Sequence, residues 1–161
     1  MENKKFNEKK SYTVDQARAL IQRYCSYRER SQKEVILKLK EYGMQELARD
    51  TLLLELIEQK FLNESRFSRA YARGKFNNNH WGWNKISQGL YHHDISKPCM
   101  KEAKEEIMSL DYFGKIEHLV AKKWKEVKAK SEYERKNKVA QYVIGKGFEP
   151  PMVWEVLSDI K

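Results

Sequence analysis

Residues 138–160 read Lys138-Val139-Ala140-Gln141-Tyr142-Val143-Ile144-Gly145-Lys146-Gly147-Phe148-Glu149-Pro150-Pro151-Met152-Val153-Trp154-Glu155-Val156-Leu157-Ser158-Asp159-Ile160. Apolar side chains recur there at Val139 and Val143, then after a step of five at Phe148, then at steps of four through Met152, Val156 and Ile160. Steps of four place side chains on one helical face, and the step of five marks a corner where one helix stops and another starts. The same frame occurs twice upstream. Val35, Leu39, Met44, Ala48, Leu52 and Leu56 make one copy, and Ile86, Leu90, Ile95, Cys99, Ala103 and Ile107 make another. A recurring helix, corner and helix is the signature of a repeat architecture, in which neighbouring units stack because none buries its apolar face alone.

Punctuation residues agree with this frame. Gly43 and Gly147 stand just before the corner's apolar residue, where a left-handed cap suits glycine. Asp94 holds that place in the middle copy, a tolerated but weaker choice. Ser31-Gln32-Lys33-Glu34 is a capping-box sequence, and Asn63 before Glu64 can cap the helix that follows. Pro98, Pro150 and Pro151 suit first turns. A further helix precedes each pair, over about 14–28, 64–77 and 113–130 by the same periodicity. The expectation is an all-α chain of nine short helices in three tandem three-helix repeats, 12–61, 62–111 and 112–161, forming an elongated, curved array behind a flexible basic N-terminus, 1–11.

Composition supports helix and excludes several classes. Of 161 residues, 34% are charged and 40% hydrophobic, with 7 glycines and 3 prolines, a mixture that loses little rotamer freedom in helices. The net charge of +9 and a pI near 9.4 favour an acidic partner: nucleic acid, an anionic membrane surface or an acidic protein face. Cys25 and Cys99 are too few and too far apart for a disulfide or zinc framework. The polar start, Met1 to Lys10, lacks the apolar region of a secretory signal, and no stretch approaches a membrane-spanning length. A cytoplasmic location is expected, with no cofactor, no metal, no membrane partner and a monomeric state.

Between Glu64 and Asp94 no acidic residue occurs, while Arg66, Arg69, Arg73, Lys75 and Lys85 all lie there. At 100° per residue Arg66, Arg69 and Arg73 share one helical side, a cationic stripe suited to bidentate contacts with phosphate or carboxylate. Trp81, Trp83 and the pair His92-His93 add surfaces for stacking, although tryptophans at repeat junctions more often serve burial. A second run holds Lys122, Lys123, Lys125, Lys128, Lys130, Arg135, Lys136 and Lys138 against Glu126, Glu132 and Glu134. It fits sequence-independent phosphate contact or a solvated face equally well. Catalysis is not expected. The histidines, His80, His92, His93 and His118, form no ligand motif, Cys99 occupies a frame position, and Glu105, Glu106 and Asp111 read as solvated acids.

Phe67-Ser68-Arg69-Ala70-Tyr71-Ala72-Arg73 with Lys85-Ile86, Leu90 and Ile95 resembles the middle repeat of the RecX family. Lys138 to Val143, running into Gly145-Lys146-Gly147-Phe148-Glu149, Val153 and Val156-Leu157, is similar to the family's closing repeat. Arg28, Ser31, Glu34-Val35, Leu39 and Gly43 resemble its first. The chain departs from the pattern at His80-Trp81-Gly82-Trp83 and in the basic helix after Tyr112. The resemblance implies a non-catalytic regulator that lodges in the groove of the RecA recombinase filament on single-stranded DNA and restrains its assembly, ATPase and strand exchange. The alternative is a general nucleic-acid-binding helical-repeat module that grips single- or double-stranded DNA through its basic surfaces alone.

Overall fold

The computed structural model describes residues 10–160; residues 1–9 of the expected N-terminal segment lie outside that range. Among the described residues the structure is all helical. The elements are α1 (Val14–Tyr27), α2 (Gln32–Glu41), α3 (Glu46–Glu58), α4 (Glu64–Asn79), α5 (Trp83–His92), α6 (Lys97–Met108), α7 (Tyr112–Glu126), α8 (Glu132–Gly145) and α9 (Pro150–Ser158). The expected helix over 113–130 stops early, at Glu126. Val127 turns extended (ψ 126°), and Ser131 starts α8 by accepting the Glu134 N–H, so the intervening lysines lie in a loop.

Local chemistry sets these boundaries. Thr13 and Ser31 each form a complete capping box, with Gln16 and Glu34 respectively. Asn63 Oδ1 accepts from the Arg66 N–H at 2.8 Å, and Asp111 caps α7 through the Gly114 N–H at 3.1 Å. All three expected corners have a left-handed residue: Gly43 at φ +80°, Asp94 at φ +56° and Gly147 at φ +99°. Met44 N–H reaches the Leu39 carbonyl at 3.0 Å and Ile95 N–H that of Leu90 at 3.3 Å, which satisfies helix-terminal acceptors.

The chain falls into two compact units, one ending at Phe67 and one beginning at Ser68. In the first, α1, α2 and α3 pack on one another around Ala17, Ile21, Cys25, Val35, Leu39, Leu52, Leu56 and Leu62. Burial pushes the Cys25 thiol up to about 11, so it behaves as an inert core group. In the second, α7, α8 and α9 form a tight triplet around Ile116, Val120, Val139, Val143, Phe148, Val153 and Leu157. Helices α5 and α6 pack together through Ile86, Leu90, Ala103 and Ile107, and the buried Ser68 on α4 donates its hydroxyl to the Cys99 carbonyl at 3.2 Å.

A backbone junction joins α5 to the corner between α8 and α9. Helix α5 has no side-chain cap, because its N-cap is Gly82. Its first donors are taken instead by that corner: Gly82 N–H to Lys146 O at 2.9 Å and Asn84 N–H to Gly147 O at 2.9 Å. Between them, Trp83 N–H donates to Tyr112 Oη at 2.9 Å, and that hydroxyl donates to Glu149 Oε2 at 2.6 Å. Burial, reinforced by the bond to Glu149, keeps the Tyr112 phenol protonated far above its ordinary range. Phe76 stacks on the Tyr112 ring at 5.7 Å, and Phe148 lies against it at 5.4 Å.

This approach leaves no room for side chains at two places. A Cβ on Gly82 would stand 2.5 Å from the carbonyl carbon and oxygen of Gly147, and one on Gly147 would stand 2.6 Å from the Lys85 nitrogen. The glycine in the Trp-Gly-Trp segment, a departure from the family pattern in sequence, is thus a packing requirement. Gly82→Ala is expected to destabilise the protein by about 3 kcal/mol, as overpacking against fixed backbone does. Gly74→Ala, in open space in the middle of α4, is expected to stabilise by up to about 1 kcal/mol. Thermal melts followed by circular dichroism separate the two. Tyr112→Phe, which strands the Trp83 N–H, is expected to cost about 1–3 kcal/mol in urea denaturation.

Candidate functional site

The basic residues of α4 do not form one free stripe. Arg66 Nε donates to Glu29 Oε1 at 2.6 Å and its Nη2 to the carbonyls of Lys60 at 3.0 Å and Phe61 at 3.4 Å. This guanidinium ties the start of α4 to the loop before α2 and to the loop after α3, which makes it a structural clamp. Arg73 pairs with Glu106 at 2.5 Å, with half its side chain still exposed. Arg69 is exposed and makes no ion pair among the described residues. Of the three, it is the arginine whose whole fork is available.

Lys75 and Lys85 are brought together by Trp81. Their ammonium groups lie 4.9 and 4.6 Å from the indole centroid, and Lys75 is also 5.4 Å from the Tyr71 ring. Trp81 and Trp83 are half-buried, neither sealed in the core nor free. Such cation–π contacts are worth about 0.5–1 kcal/mol at exposed sites, and they hold two positive charges on one aromatic platform. Of the His92-His93 pair, His93 meets the Tyr71 ring edge-on at 5.5 Å.

The second basic run separates into two populations. Lys136 pairs with Glu132 at 2.9 Å, Lys138 with Glu134 at 2.8 Å, and Lys123 with Glu126 at 3.5 Å, all along single helices. The Lys138 contact, with the Lys130 N–H, holds the Glu134 carboxyl below its ordinary range. Arg135 lies 5.3 Å from the Trp124 ring. By contrast Lys122, Lys125 and Lys130 are exposed, and their ammonium groups pair with no carboxylate among the described residues.

A cluster that the sequence did not single out surrounds the end of α4. His80, His118, Leu119, Lys122, Lys123, Glu126 and Tyr142 line a pocket of about 110 Å³. Lys115 Nζ is 3.2 Å from His80 Nδ1, and Lys123 and Lys146 lie 4.4 and 5.7 Å from the Tyr142 ring centroid. Burial, then the charges of Lys115, Lys146, His118 and Lys122, push the His80 imidazole below its ordinary range. No group of three or more His, Cys, Asp or Glu that could hold a metal occurs among the described residues.

The family model for the RecX third three-helix domain matches residues 111–157, and that for the second three-helix domain matches 63–103; together they cover more than half of the chain. The chain belongs to the RecX family. A regulatory protein RecX from Oceanobacillus iheyensis is 25% identical over 150 residues, covering 92% of this chain and 54% of its own length. One from Finegoldia magna is 29% identical over 130 residues, covering 78% of this chain and 62% of its own. The chain therefore spans a little over half the length of these RecX relatives. The crystal structure of RecX from Lactobacillus salivarius superposes with a TM-score of 0.81 at 22% identity, over 91% of this chain and 96% of that one, and shares the fold.

The arginines have separable roles. Arg66→Ala is expected to cost about 1 kcal/mol of stability after allowing for its partial exposure, read as a lowered urea midpoint at unchanged slope. Arg69→Ala is expected to leave stability within about 0.5 kcal/mol of the parent.

Proposed function

We propose that this chain is a non-catalytic regulator that binds the RecA recombinase filament on single-stranded DNA and restrains its ATPase, strand exchange and growth. The observation that carries this reading is the match of two successive RecX three-helix domains to residues 63–103 and 111–157. The chemistry is consistent with it. Among the polar groups on the surface are cationic forks and ammonium groups held beside aromatic rings, suited to binding acidic surfaces. The proposed modules are the three-helix repeats 12–61, 62–111 and 112–161. Arg69, Lys122 and Lys125, exposed and without a carboxylate partner among the described residues, are the proposed primary contacts; Lys75 and Lys85 are held at Trp81 and Arg135 beside Trp124, and Arg66, Arg73, Lys123, Lys136 and Lys138 pair with carboxylates. The cytoplasm is the proposed compartment, where the filament forms.

The unpaired lysines of α7 favour a second reading, a module that binds nucleic acid directly through its phosphates. Titration onto preformed RecA filaments, followed by ATP hydrolysis, distinguishes the two. The regulator reading expects saturable loss of ATPase that Arg69→Glu weakens with unchanged helical circular dichroism. Undiminished ATPase, together with recombinase-independent DNA binding that falls steeply with salt, would establish the second reading in its place.

A further inference from the structure

The cations around His80 are denser than a solvated surface requires. Three separate elements converge there: the C-terminus of α4 through His80, helix α7 through Lys115, His118, Lys122 and Lys123, and the end of α8 through Tyr142 and its cap Lys146. Glu126 is the acid that lines the pocket, and it is already engaged by Lys123. Well-solvated surfaces intersperse the two signs. Here four lysines and two histidines gather around one carboxylate.

The geometry is constrained. His80 sits at φ +55°, a left-handed conformation unfavourable for a residue with a β-carbon. The Lys115 ammonium faces its Nδ1, so Nδ1 accepts and Nε2 carries the proton as a donor. Lys123 and Lys146 are placed by one ring, Tyr142, whose exposure is 38%. The space of about 110 Å³ admits a group of a few water volumes, each about 30 Å³. That is the scale of one tetrahedral oxyanion.

We propose that this pocket is a phosphate-binding site for the backbone of single-stranded nucleic acid, walled by His80, His118, Lys122 and Lys123, with Lys115 and Lys146 as its outer charges. A polymer is favoured over a free anion because positive charge continues beyond the pocket. Lys75 and Lys85 hold to Trp81, the residue after His80, and the exposed Lys125 follows on α7. Successive phosphates can use these; a lone phosphate cannot. The site deepens the reading of this chain as a regulator acting on a filament that contains single-stranded DNA, and assigns which surface meets that DNA.

Binding is linked to protons. In the empty pocket burial and the surrounding ammonium groups disfavour the charged imidazole of His80; a bound phosphate offsets them and raises its pKa. The complex therefore takes up protons, and affinity rises as the pH falls. The test uses the whole chain and a single-stranded oligothymidylate, without recombinase. Affinity is expected to rise about threefold from pH 7.5 to 5.5 as the complex takes up a proton at His80.

In NMR titrations the imidazole signals of His80 are expected to move to higher pKa with the oligonucleotide and not with inorganic phosphate at equal phosphate concentration. His80→Asn, which tolerates the left-handed backbone, is expected to flatten the pH dependence, and its combination with His118→Gln to shrink the salt slope by about 0.7 for each phosphate no longer held. An unmoved His80 imidazole on the unaltered protein, or an equal shift with inorganic phosphate, overturns the proposal. Since no recombinase is present, either result leaves the inhibition of filament ATPase to be judged separately.

Discussion

Helix α5 begins with donors that no side chain of its own can satisfy, and the corner between α8 and α9 supplies the acceptors. That exchange of backbone hydrogen bonds is the constraint on which the second unit depends. It requires Gly82 and Gly147 to face each other without β-carbons, and it places Tyr112 where one hydroxyl serves both Trp83 and Glu149. An uncapped helix start would leave donors stranded in a region sealed by Phe76 and Phe148. Docking onto a corner resolves this while fixing the position of α5 against the triplet formed by α7, α8 and α9. Phosphate-sized space beside His80 follows from the same register, since His80, Gly82 and Lys146 are neighbours in that junction.

Charge in this molecule is divided by what it touches. Arg66 and Arg73 end on carboxylates, and Lys136 and Lys138 of α8 lie along i,i+4 pairs. Exposed pairs of this kind contribute little to stability, a few tenths of a kcal/mol up to about 1 kcal/mol. Their larger effect is to withdraw those cations from contact with anything else. What remains is Arg69, the lysines around Trp81, and the cluster near His80, so a chain with a net charge of +9 offers its charge in a few places.

The helical frame was legible because it rests on local rules. Steps of four with a break of five, glycine or aspartate before the corner, and capping residues all act within a few positions, and the structure places a left-handed residue at each corner. The site was legible only in part. Arg66, Arg69 and Arg73 do share a helical side, but Glu29 and Glu106 lie 37 and 33 residues away in sequence, so their pairing is invisible in the local pattern. The His80 cluster is hidden for the same reason: Lys115 is 35 residues distant and Tyr142 farther still. The early end of α7 is hidden by lysines that favour helix; the capping of α8 by Ser131 overrides that preference.

Three versions of one corner coexist in this chain. Two have glycine in the left-handed position, and the middle one has Asp94, whose β-carbon makes that conformation less comfortable. The residue that follows differs in step: Met44 and Phe148 are buried, Ile95 only half so. A unit held by a strained, shallow hinge opens locally at lower free energy than its neighbours, since fewer apolar contacts are broken. Of the three corners, the turn between α5 and α6 is therefore the one whose amide hydrogens are expected to exchange with solvent first.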